Sequence, residues 1–130
     1  PVFSLEGTSC ICKVVNVYDG DSCKVVFPMK ETMYKWNVRL TGYDTPEMRP
    51  SKSKENRDEE IVAAKLARDY LKGQVMNEGQ LVYIKCGGFD KYGRLLGTLF
   101  KDESDLISVN DMMISEGHGY VYDGGTKQTF

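Results

Sequence analysis

The stretch YDGDSCKVVF, Tyr18 to Phe27, decides how the first third of the chain is read. Asp19-Gly20 is a hairpin signal, a polar and flexible pair set between two apolar runs. On one side, Ser9 to Tyr18 carries Val14, Val15 and Val17; on the other, Asp21 to Phe27 carries Val25, Val26 and Phe27. β-Branched and aromatic side chains suit a pleated, half-buried surface, so both runs read as strands joined at the turn. The same turn brings two carboxylates, Asp19 and Asp21, to one end of the hairpin. A tight turn and half of a metal site are both open readings of that triplet.

Working outward, Pro28 to Thr32 reads as a second turn in a long loop, and Tyr34 to Leu40 as a third strand. Adjacency makes the three strands an antiparallel meander. Residues 41–60 are irregular, with Gly42, Pro46, Pro50 and the charge run RPSKSKENRDEE, most of which reads as a solvated loop. Glu59 to Leu71 is predicted helical. Val62, Leu66 and Tyr70 fall on one stripe, Ala63, Ala67 and Leu71 lie beside it, and Gly73 is a candidate stop. Leu81 to Cys86 and Leu95 to Phe100 read as strands on either side of GGFDKYGR. Ser108 opens a short helix with Asp111 at the capping position and Gly117 at its end. Met112 and Met113 read as core filler. Three strands, a helix, two strands and a helix is the element order of an OB-type barrel. The expected fold is α+β, mainly β: a five-stranded OB-fold barrel with two helices, in a single domain over residues 1–130.

Composition is that of a globular chain, 41% hydrophobic and 28% charged. No apolar run reaches the length of a membrane span, and no secretory signal pattern is visible. Cys10, Cys12, Cys23 and Cys86 match no zinc spacing, and His118 is the lone histidine. Four small buried thiols lean towards a reducing, intracellular setting. The net charge of −2 argues against a polyanionic partner, but its distribution is uneven. Residues 35–54 carry five basic and two acidic groups, and residues 85–101 four and one. Residues 102–130 carry six acidic groups and only Lys127. The two basic segments can form one local patch.

Two further stretches carry chemistry: RLTGYDTPE, Arg39 to Glu47, and DKYGR, Asp90 to Arg94. Phosphodiester hydrolysis needs a hard cation on oxygen ligands, a carboxylate to orient or deprotonate water, and guanidinium groups to grip the phosphate. Asp21 and Asp44 can supply the ligands, Glu47 the base, and Arg39 and Arg94 the guanidinium groups. Singly, each has a plain structural counterpart: a turn cap, a surface ion pair, an exposed strand arginine. Their conjunction in order is what points to chemistry.

On VYDGDS (17–22), VRLTGYDTPE (38–47), DKYGRLLG (90–97) and VNDMMISEGHGYVY (109–122), the sequence resembles the staphylococcal, or micrococcal, nuclease family. The resemblance implies an OB-fold barrel with a site for one calcium ion. It implies that DNA and RNA are cleaved with little sequence preference, leaving 3′-phosphate ends. By position, Asp21 and Asp44 would ligate calcium through side chains and Thr45 through its carbonyl, with Asp19 behind them. Glu47 would act as general base, and Arg39 and Arg94 would contact the scissile phosphate. Lys91 and Tyr120 would touch the terminal phosphate of a bound nucleotide, and Tyr122 would pack near its base. The loop from Pro28 to Tyr34 is expected to be longer than in the family's best-known member, and the C-terminal helix that usually packs on the barrel is not apparent.

Rival readings are a non-catalytic binding or scaffolding relative, an OB-type single-strand binder using Tyr34, Trp36 and Tyr43 as stacking platforms, and a calcium-binding structural module. The expected partners are DNA and RNA, with single-stranded or frayed segments preferred because the acidic segment from Asp102 to Asp123 repels a long duplex. No membrane is expected as a partner, and a monomer is the default expectation.

Overall fold

The structure is a computed structural model that describes residues 2–122. Three long strands open the chain: β1 (Ser9–Asp19), β2 (Ser22–Met29) and β3 (Thr32–Leu40). The two-residue strand β4 (Tyr43–Asp44) precedes the long helix α1 (Arg57–Val75). β5 (Val82–Phe89) and β6 (Leu95–Phe100) follow, then the short helix α2 (Val109–Ser115) and the two-residue strand β7 (Tyr120–Val121).

The five long strands close into a barrel in the order β1-β2-β3-β6-β5. The meander is present as expected. The closure is of another kind: β3 and β6 run parallel, from Val38 opposite Leu95 to Leu40 opposite Gly97, while the other pairs are antiparallel. A parallel pair cannot be joined by a hairpin, and α1 lies in the connection that returns the chain. Val14, Val25, Phe27, Val38, Ile84, Leu95 and Leu99 fill the interior. β4 pairs separately with β7, Asp44 opposite Tyr120.

The turn expected over Pro28 to Thr32 is present, as the tight end of a hairpin rather than a long loop to Tyr34. β2 and β3 stay paired to Met29 opposite Thr32, leaving a turn at Lys30-Glu31. Pro28 fits inside the strand because the β1 ladder has already ended at Lys13 opposite Val26. Its missing N–H faces the side where no ladder bond is made.

Helix α1 corrects two further expectations. Of the expected stripe, Val62 and Leu66 face solvent, 59% and 57% exposed, while Tyr70 is half-buried against the core and stacks on His118. The buried face is Glu60, Ala64, Ala67, Leu71 and Val75, which keeps the helical repeat but begins with a carboxylate. Gly73 does not end the helix, which continues to Val75; it sits exposed, with open space where a Cβ would go. At α2, Ser108 caps as expected, its hydroxyl accepting the Asp111 N–H at 3.0 Å. Gly117 follows the helix with φ +79°. Buried Asn110 ties α2 to the barrel, donating to the Thr41 and Gly97 carbonyls and accepting the Leu99 N–H. The cysteines are free thiols; Cys12, Cys23 and Cys86 are buried and Cys10 is half-buried. Burial pushes the Cys12 thiol up to about 12.

Among the stacking candidates, Tyr43 is fully buried. Trp36 stacks on Phe27 with ring centres 5.1 Å apart, and Tyr34 tilts against Trp36 at the rim. No helix among the described residues is long and apolar enough to cross a membrane.

Candidate active site

The Asp19-Gly20-Asp21 turn is locked from two sides. The buried Tyr43 hydroxyl donates to the Gly20 carbonyl at 2.6 Å. A Cβ on Gly20 would meet the Thr45 Cγ2 at 2.8 Å and the Ala67 Cβ at 2.9 Å. Glycine is needed here for close approach: the turn is wedged between the residue after β4 and the buried face of α1. Gly20 also stands at the chain reversal, as expected, between the paired Asp19 and Ser22. Within the turn, Asp19 Oδ1 accepts the Asp21 N–H at 3.1 Å and the Ser22 hydroxyl at 2.7 Å. A register shift between Val17 and Asp19 adds a bulge just before the turn. Bulges of this kind re-aim side chains beside sites.

Arg39, on β3, binds across to the opposite wall. Its Nη2 lies 3.3 Å from Asp21 Oδ2 and 3.3 Å from Asp44 Oδ1, and its Nη1 donates to the Leu40 and Tyr43 carbonyls. Asp21 and Asp44 are buried, as is Thr45. Two carboxylates, Asp21 and Asp44, therefore share one guanidinium, with Asp19 close behind Asp21. Burial would raise the Asp19 carboxyl, but hydrogen bonds from Asp21 and Ser22 hold it below its ordinary value. Burial first, and the charge of Asp19 second, push Asp21 up to about 8 despite the Arg39 charge.

The DKYGR turn delivers the second guanidinium. Asp90 Oδ1 accepts the N–H groups of Tyr92 and Arg94, and its Oδ2 takes the Arg94 Nε at 2.8 Å. Gly93, with φ +82°, makes the turn possible. These bonds hold the Asp90 carboxyl below its ordinary value although burial opposes them. The Arg94 side chain remains over one third exposed, aimed by Asp90 rather than sequestered.

One cleft of about 950 Å³ is lined by Asp19, Asp21, Arg39, Asp44, Thr45, Glu47 and Arg94 together with Tyr122. A neighbouring groove of about 640 Å³ holds Lys91 and shares Arg39, Tyr92, Arg94 and Tyr122 with it. Residues from β1, β3, the two segments after β4 and β5, and the segment after β7 thus meet in one place. Tyr120 is placed differently from the others: its hydroxyl donates to the Thr45 carbonyl at 3.3 Å, and it lines neither cavity.

Four residues with work to do here went unassigned from sequence. Tyr92 is 72% exposed and lines both cavities, with Lys91 Nζ 5.2 Å and Arg94 Cζ 5.6 Å from its ring centre. Asp90 aims Arg94, and its i, i+4 spacing across a glycine turn is the signal that could have found it. Tyr43 and Glu60 are the others. Nothing local marks either one, because their partners are distant in the chain.

A mixed five-stranded barrel with two helices defines an OB-type domain, and at one end it bears a cleft of carboxylates and guanidinium groups. The chain belongs to the staphylococcal nuclease homologue family, which it matches over residues 37–129. Asp19 and Asp21 lie before the matched span and line the same cleft as residues within it. No curated protein matches the chain.

Proposed function

We propose that this domain is a calcium-dependent nuclease that hydrolyses phosphodiester bonds of DNA and RNA with little sequence preference, leaving 3′-phosphate ends. The observation that carries the reading is the single cleft lined by Asp21, Arg39, Asp44, Glu47 and Arg94. Among the described residues no three His, Cys, Asp or Glu side chains form a metal cluster. The donor set that fits is mixed: the Asp21 and Asp44 carboxylates and the Thr45 carbonyl. All are oxygens, as a hard cation requires. The Thr45 carbonyl can accept Tyr120 and still offer a second lone pair. When bound, calcium would neutralise the phosphate and lower the barrier to attack.

In this reading Arg94 grips the scissile phosphate through its Nη groups, while Arg39, whose Nη groups reach Asp21, Asp44 and two carbonyls, offers its charge and its Nε, and both stabilise the extra charge of the transition state. Glu47 accepts a proton from the attacking water, whose oxygen bonds to phosphorus as the bond to the 5′ oxygen breaks. The freed 5′ oxygen takes up a proton. Asp19 braces the turn that carries Asp21, Lys91 lies where an end phosphate would reach, and Tyr122 lies where its base would pack. The acidic segment from Asp102 to Asp123 repels a long duplex, which favours single strands and frayed ends. A binding module of the same fold could use the two guanidinium groups to hold phosphate, but would have no use for Glu47 beside them. The test is incubation of the protein with single- and double-stranded DNA and RNA, with calcium and with excess chelator. Hydrolysis that requires calcium is expected; binding without cleavage would favour the module, and full activity in chelator would remove the metal.

A further inference from the structure

Glu60 is the buried charge that the scheme above leaves without a role. It lies in the first turn of α1, 2% exposed, on the same face as Ala64, Ala67 and Leu71. A carboxylate there is costly to bury unless hydrogen bonds and an opposite charge compensate it. Its two oxygens are both engaged, and both partners belong to the irregular segment between β4 and α1. Glu60 Oε2 accepts the backbone N–H of Glu47 at 2.8 Å. Glu60 Oε1 is paired with the Lys54 ammonium. A third tie runs the same way, from Arg57 Nε to the Pro50 carbonyl at 3.3 Å. One helical side chain therefore fastens this loop near its start and near its end.

Resting on the nuclease reading, we infer that Glu60 is a positioning residue that orients the Glu47 carboxylate through the Glu47 main chain. Glu47 sits in a segment without regular secondary structure, so no ladder or helix fixes its φ and ψ. A general base must be held within hydrogen-bond reach of its water, and a displacement of about 1 Å can cost on the order of 100-fold in rate. The buried Glu60 side chain supplies the rigid anchor, because the helix face that carries it is packed against the barrel. An alanine or leucine at this position would pack as its neighbours do but would leave the Glu47 amide and the Lys54 charge with one partner fewer.

The test is a cycle of Glu47→Gln, Glu60→Gln and the double variant, read as kcat, KM and calcium affinity on a labelled single strand. Glu60→Gln preserves size while removing the charge that two donors share. Its kcat should fall about 10- to 100-fold, as for other outer partners of site residues, with KM and calcium affinity nearly unchanged. In the Glu47→Gln background the same change should have no further effect, because Glu60 acts through Glu47. Multiplicative losses in the double variant would overturn the inference, as would a Glu60→Gln enzyme at wild-type rate beside an inactive Glu47→Gln. A fully active Glu47→Gln would overturn both this inference and the base assignment. Amide exchange in the unaltered protein decides the matter without any variant. The Glu47 amide should exchange more slowly than those of Met48 and Arg49, and equal rates would overturn the inference.

Discussion

Replacing Gly20 by alanine tests whether the turn is wedged in place. The backbone of Gly20 lies outside the left-handed region, so alanine adds no conformational strain and the change probes packing alone. The new methyl would stand 2.8 Å from the Thr45 Cγ2 and 2.9 Å from the Ala67 Cβ. Ordinary contact between such carbons is about 3.5–4.0 Å, so each neighbour would have to retreat by about 1 Å. Ala67 has no rotamer to change, and Thr45 is 3% exposed with no space to turn into. Relief must therefore come from moving the turn against the segment after β4, which separates Asp21 from Asp44 and the Thr45 carbonyl. Overpacking of this kind costs about 1–3 kcal/mol. At about 3–5 °C per kcal/mol for a chain of this size, the melting temperature should fall by roughly 3–15 °C. A shift of about 1 Å at the site should lower kcat on the order of 100-fold at temperatures where the variant is folded. Thermal unfolding by circular dichroism and single-strand hydrolysis at saturating calcium read the two effects. Gly73→Ala is the control: exposed in α1 with open space at Cβ, it should gain up to about 1 kcal/mol and leave kcat alone. A Gly20→Ala protein with unchanged melting and unchanged rate would refute the wedge.

Arg94→Lys keeps the charge but loses the Nε bond to Asp90 and the forked grip on phosphate, so kcat should fall about 100- to 1,000-fold; near-normal turnover would remove Arg94 from the site. In metal-free protein the Asp21 carboxyl is raised from 3.8 to about 8, chiefly by burial and next by Asp19. A folded-state value above the unfolded one means its stabilising contribution is full below the ordinary carboxylate range and is lost as pH rises through about 8. Metal-free melting temperature should decline over that window, and calcium, which needs the ionised form, should bind more weakly as pH falls below it and should release a proton on binding. Flat metal-free stability from about pH 5 to about pH 8, read by thermal melts in a buffer series, would contradict this. Binding of single strands to an inactive variant should show a log–log salt slope of about −1.4 to −2.8, as for two to four phosphates; a much steeper slope with equal affinity for duplex would indicate an extended groove.

The strands and their order were legible because β-branched alternation, turn residues and capping are local signals, as in Val14–Val17, Val25–Phe27 and Ser108–Asp111. The candidate carboxylates and guanidinium groups were legible too, since each sits in a short motif whose residue types suit one chemistry. Helix α1 shows where local reasoning fails. Val62 and Leu66 of its apolar stripe face solvent, because the face that meets the barrel includes Glu60. Periodicity counts hydrophobic residues and cannot anticipate a buried carboxylate whose partners, Glu47 N–H and Lys54, lie in the preceding loop.

Sequence alone therefore determined which residue types were present for phosphate chemistry and on which kind of element each would lie. The tertiary structure alone decided that they meet. Asp21 comes from a hairpin, Arg39 from β3, Arg94 from the turn before β6, and the parallel closure of β3 on β6 is what sets the two arginines in one cleft. The tight seating of Gly20 under Thr45, the Tyr43 hydroxyl on its carbonyl and the Glu60 tether are contacts between segments far apart in the chain. Such contacts depend on how distant surfaces pack at van der Waals distance. A one-dimensional pattern specifies only which faces need burial, not which atoms will lie across from them.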